Sequence, residues 1–125
     1  MKVKEVMNSA IAVDHDITIK AAAKIMSEKN IGSLVVLKDD NIIGIVTEHD
    51  ILSNIESLDK KIFSVMVRKV VTINENEELD DAAIILFKNK IKKLPVVNKK
   101  GNLVGIITST DLIAHSEDLN EDFLF

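Results

Sequence analysis

The chain has 125 residues, with 16 Lys plus Arg against 20 Asp plus Glu and a formal net charge of −4. That length fits one domain, or two repeats sharing a core, and 46% hydrophobic with 29% charged residues is the composition of a folded globular protein. The lack of cysteine excludes disulfides, zinc–thiolate sites and thiol nucleophiles, and four Phe without Tyr or Trp, at pI ≈ 5.3, argue against a nucleic-acid partner.

Charges at Lys2, Lys4, Glu5, Asp14, Asp16 and Lys20 break the first 20 residues, so no secretory signal is expected there. No apolar run reaches the roughly 18 residues of a membrane span. A cytoplasmic location and no membrane partner are expected.

In chain order, Ile19, Ala22, Ala23 and Met26 recur at i, i+3, i+4 and i+7 and predict a helix. The apolar runs 34–37 and 42–46 flank the turn Asp39-Asp40-Asn41 and predict a hairpin covered on both faces. A second helix is expected over 50–55. The same order then returns. Leu79, Ala82, Ala83 and Leu86 repeat the helical spacing, and runs 94–97 and 103–107 flank Lys99-Lys100-Gly101. A last helix is expected from Asp111 to about His115.

The chain therefore contains itself twice. GIVTEHDIL from Gly44 answers GIITSTDLI from Gly105, and Val6-Met7 answers Val65-Met66. The expected organisation is an α/β (α+β) fold of two β-α-β-β-α repeats, with pseudo-two-fold symmetry and a shared core, because a half of about 60 residues is marginal alone. Repeat 1 is placed at residues 1–60 and repeat 2 at 61–116. Residues 117–125 form an acidic tail ending in Phe123, Leu124 and Phe125, either frayed or docked on an apolar groove or partner.

Two copies of G-h-x-[ST]-x-x-D, with h apolar, make the sequence resemble a tandem pair of cystathionine-β-synthase (CBS) domains, a Bateman module. The copies run Gly44 to Asp50 and Gly105 to Asp111, and the resemblance covers residues 1–116. The first repeat departs from the common L-P-V-V, kept at 94–97, in reading S-L-V-V. The resemblance implies a regulatory module that binds AMP, ADP, ATP or S-adenosylmethionine between its repeats and signals metabolite state to a separate effector protein, without any effector domain in this chain. It further implies that each Asp holds the ribose diol while the other repeat faces the adenine. One ligand would use Thr47 and Asp50 with Val71, Thr72, Lys92 and Lys93. The other would use Thr108 and Asp111 with Ile11, Ala12, Ile31, Gly32 and Ser33.

The residues themselves allow a plainer role, because Thr47-x-x-Asp50 and Thr108-x-x-Asp111 also match a helix capping box. The two roles are compatible. A carboxylate repels phosphate but accepts hydroxyl protons, so cations must meet any phosphate. Arg68, Lys69, Lys92, Lys93 and His49 are the candidates, all expected near the Asp50 ligand. Ser33 stands where repeat 2 has Lys93. A phosphate-rich ligand is thus expected at Asp50, with Mg²⁺ able to enter alongside ATP, and a weaker or uncharged adenosine compound at Asp111.

His15, His49 and His115 show no metal-ligand or general-base spacing, so no catalytic or metal-binding residue is expected and the chain is read as a non-enzyme. Asp39-Asp40 and Asp80-Asp81 suit a turn and a helix start. Ile84, Phe87 and Ile91 add an apolar stripe that repeat 1 lacks, either buried within the chain or forming a homodimer contact. A ligand-free dimerisation scaffold is the competing function.

Overall fold

The computed structural model describes residues 1–119. A 3-10 turn, Val3–Glu5, leads to β1 (Ala12–Asp14), α1 (Ile19–Lys29), the hairpin β2 (Ser33–Lys38) and β3 (Asn41–Thr47), and α2 (Glu48–Leu52). A second 3-10 turn, Ile62–Ser64, opens the same series: β4 (Ile73–Asn74), α3 (Leu79–Asn89), β5 (Lys93–Val97), β6 (Leu103–Thr108) and α4 (Ser109–Ala114). The β-α-β-β-α order thus occurs twice.

Each series makes a three-stranded sheet, in the orders β1-β2-β3 and β4-β5-β6. The helical crossover sets β1 parallel to β2, while the tight turn sets β3 antiparallel to it; β4, β5 and β6 repeat the pattern. The middle strands carry Leu34, Val35 and Val36, and Leu94, Pro95 and Val96, all buried. Such unbroken apolar runs belong to strands covered on both faces. Asp39 and Asp40 take φ of 50° and 65°, the paired positive values of a two-residue hairpin turn. The second turn is one residue longer and places Gly101 at φ 83°.

Thr18 Oγ1 caps α1 by accepting the Ala21 N–H at 3.1 Å. Both long helices end on a left-handed residue, Asn30 (φ 52°) and Lys90 (φ 53°), after which Ile31 and Ile91 donate back to Met26 O and Leu86 O. The short helices start earlier than the apolar spacing predicts. Thr47 caps α2, which runs Glu48–Leu52, so Ile55 lies beyond it and is exposed.

Compact units and linear repeats do not coincide. One unit is Ile11–Val70; the other joins Met1–Ala10 to the chain from Val71 onward. The physical reason is where the segments with the 3-10 turns pack. Val3 and Val6 are buried with Ile73, Leu79, Leu86, Leu94 and Ile107, whereas Ile62 and Met66 are buried with Ile19, Met26, Leu34, Val36 and Val46. Backbone bonds seal both arrangements: Val3 N–H to Glu77 O and Ile62 N–H to Ile17 O, each 2.9 Å. The expected boundary at residue 60 is therefore not where the compact units divide. Sharing between the repeats includes exchanged segments, and each unit carries its own buried cluster.

Candidate functional site

The motif glycines explain how the exchanged segments lie against the motif strands. A Cβ on Gly44 would collide with the Met66 sulfur and sit 3.0 Å from Val67 O. A Cβ on Gly105 would sit 2.7 Å from the Met7 sulfur and 2.9 Å from Asn8 O. Beside each glycine the hairpin register shifts, between Val36 and Leu37 and between Val96 and Val97. The strand then runs straight into its short helix.

At that junction the Thr and Asp of each motif meet. Asp50 Oδ2 accepts the Thr47 N–H at 2.8 Å and the Thr47 hydroxyl at 3.0 Å. Asp111 Oδ2 accepts the Thr108 N–H at 2.8 Å and the Thr108 hydroxyl at 2.9 Å, and Thr108 Oγ1 accepts the Asp111 N–H at 3.2 Å. The capping role read from the sequence is real. It engages one carboxylate oxygen, leaving Oδ1 of each Asp with no hydrogen bond to a described residue.

Within the unit Ile11–Val70, Thr47 and Asp50 lie beside several positions that the resemblance assigns to the Asp111 ligand. Ser33 pairs with Thr47, Glu48 N–H donates to Gly32 O at 3.1 Å, and Val35 N–H donates to Ile11 O at 3.0 Å. Ala12 lies on the adjoining β1 and Ile31 packs against that unit's buried cluster. The other unit is built alike. Lys93 pairs with Thr108, Ser109 N–H donates to Lys92 O at 2.9 Å, and Val71 and Thr72 lead into β4. Each unit thus sets one motif Asp beside strand positions of its own, where the resemblance implies positions of the other repeat.

The cation candidates separate on inspection. Arg68 is tied down, its Nη2 donating to Phe63 O at 2.7 Å. Lys69 and Lys92 are exposed and Lys93 is half-buried. His49 is exposed, with Nε2 3.4 Å from Ser53 Oγ. Among the described residues no group of three or more His, Asp or Glu could hold a metal ion.

One participant was missed by the sequence reading. Asn8 Nδ2 donates to Asp111 Oδ2 at 2.9 Å, across 103 positions of chain. No local spacing signals it. The stripe on α3 also needs correction, because Ile91 packs on the buried cluster while Ile84 and Phe87 are 39% and 84% exposed. The helix stops at Asn89, so the i+7 spacing no longer applies at Ile91. The aromatic tail end, Phe123 to Phe125, lies outside the described residues.

The CBS domain model matches residues 3–57 and 62–118, nearly the whole chain in two copies. The chain belongs to the CBS domain family. It is 38% identical over 101 residues to MJ1232 of Methanocaldococcus jannaschii, covering 81% of this chain and 34% of that protein. It is also 38% identical over 112 residues to inosine-5′-monophosphate dehydrogenase of Thermoplasma acidophilum, covering 90% of this chain and 23% of the dehydrogenase. It therefore spans about a third of the first of these curated relatives and under a quarter of the second. Among solved structures, the CBS domain pair of protein MJ0100, in complex with 5′-methylthioadenosine and S-adenosyl-L-methionine, superposes with a TM-score of 0.83 at 33% identity, covering 94% of this chain and 96% of that one.

Proposed function

We propose that this CBS pair is a regulatory ligand-binding module, not a catalyst, and that it takes adenosine derivatives through the ribose hydroxyls at Asp50 and Asp111. The observation that carries the reading is the state of the two carboxylates. Each is fixed by its cap through Oδ2 and presents Oδ1 as a spare acceptor, as a donating sugar hydroxyl requires. The MJ0100 pair supports the ligand class, since both of its compounds carry adenosine.

AMP, ADP or ATP suits Asp50 in this reading, with the exposed Lys69 of the same unit meeting phosphate and His49 flanking it. Methylthioadenosine and S-adenosylmethionine, which offer the same ribose hydroxyls, are the alternative ligands. Occupancy would pass to a partner only if ligand favours one arrangement of the protein over another. A cytoplasmic homodimer acting on a separate effector protein completes the reading.

A thermal-shift series with AMP, ADP, ATP, S-adenosylmethionine and methylthioadenosine tests it. Ligand at 100 times Kd should stabilise the protein by about 2.7 kcal/mol. Asp50→Asn and Asp111→Asn keep an oxygen for the cap but turn an NH₂ toward the sugar, so each should abolish binding at its own site with little loss of stability. No shift with any compound would instead leave the caps as purely structural and favour the scaffold.

A further inference from the structure

The two motif aspartates share the same bonds from their Thr to Oδ2 and differ in one further side-chain donor to that oxygen. Asn8 and Val67 are equivalent positions, following Met7 and Met66, and each exchanges both backbone hydrogen bonds with the strand residue after the motif glycine. Asn8 does so with Ile106, at 2.9 Å twice, and Val67 with Ile45, at 3.0 and 2.9 Å. Their side chains then diverge. Asp is an acceptor only, so the NH₂ of Asn8 must be the end that faces Asp111. Val67 donates nothing.

Asp111 Oδ2 consequently receives three donors, Thr108 N–H, Thr108 Oγ1 and Asn8 Nδ2, while Asp50 Oδ2 receives two among the described residues. One of those two is a hydroxyl, which can rotate its proton away when a better-placed donor arrives. The Asn8 backbone is bonded on both sides to Ile106 and its carbonyl lies against Gly105, which keeps the side-chain amide within reach of Asp111.

We propose that Asn8 sets the sugar selectivity of the Asp111 site, an inference that rests on the ribose reading above. At Asp50 both hydroxyls of a ribose diol find a carboxylate oxygen. At Asp111 the Asn8 amide already occupies the approach to Oδ2, so one hydroxyl binds Oδ1 and the second adds little. The Asp50 site therefore selects ribose over 2′-deoxyribose, and the Asp111 site binds adenosine compounds more weakly and tolerates the deoxy sugar.

Calorimetry with adenosine and 2′-deoxyadenosine tests this, with Asp50→Ala isolating one site and Asp111→Ala the other. A hydrogen bond to a charged oxygen is worth about tenfold in affinity, so the ribose preference should be about tenfold larger at Asp50 than at Asp111. Asn8→Val should raise both adenosine affinity and ribose preference at Asp111, and Val67→Asn should lower both at Asp50. Each variant installs the residue its equivalent position already holds, so the fold is kept. An unchanged ribose preference in Asn8→Val, or a loss of adenosine affinity there, overturns the role of Asn8 while leaving the ribose reading intact. Failure of the parent protein to bind adenosine at either site overturns both.

Discussion

A single carboxylate in each motif does two jobs, and the division between its oxygens makes this feasible. Oδ2 completes the cap of a helix only five or six residues long by accepting the N–H of the capping Thr, while the next N–H, of Glu48 or Ser109, is taken by Gly32 O or Lys92 O. Glycine in the same motif answers to sterics alone. Gly105→Ala should cost about 1–3 kcal/mol, because the new methyl meets both the Met7 sulfur and the Asn8 carbonyl and only the former can yield. A urea midpoint equal to the parent's would show that the strand and its crossing segment can part. The opposite sign is expected at Lys90, a left-handed position that repeat 1 fills with Asn30. Lys90→Asn should stabilise by about 0.5–1 kcal/mol in the same assay, since the short polar side chain of Asn offsets the Cβ penalty of that conformation by local hydrogen bonding. The Thr-x-x-Asp pairs were legible in the sequence because capping acts over three residues. Asn8 was not, because its bond to Asp111 depends on where the fold returns the start of the chain.

Among elements, the long helices and hairpins declared themselves through spacing, with Ile19, Ala22 and Met26, and Leu79, Ala82 and Leu86, buried as the period requires. The two-residue β4 and the 3-10 turns are too short to leave a periodic trace. Helix α3 buries one face and leaves Ile84 and Phe87 on another, while Leu52 on α2 and Ile113 on α4 are 68% and 74% exposed. The choice left open for the stripe thus narrows: Phe87 is not buried among the described residues. If the helices carry the homodimer contact, Phe87→Lys should shift the protein toward monomer by light scattering, with an unchanged circular dichroism spectrum. A dimer that persists with Phe87→Lys would place the contact elsewhere.

For the whole molecule, the decisive feature is that ten residues at the start of the chain belong to the unit of the second repeat, and ten after residue 60 to the unit of the first. Sequence comparison finds the duplication at its linear boundaries, because repeats diverge along the chain and not along the contacts. A fragment of residues 11–70 and one of residues 1–60 have the same length, yet they enclose different cores. The first keeps Ile62 and Met66 beneath Ile19, Leu34 and Val46; the second loses them and carries Val3 and Val6 without the cluster that buries them. Burial of two such side chains is worth about 3–6 kcal/mol. That is comparable to the whole stability of a 60-residue unit, about 3–9 kcal/mol. Fragment 11–70 should therefore show a cooperative thermal transition and dispersed amide resonances, and fragment 1–60 neither. Equal folding of the two would mean that the exchanged segments contribute little and that the linear repeat is the true folding unit.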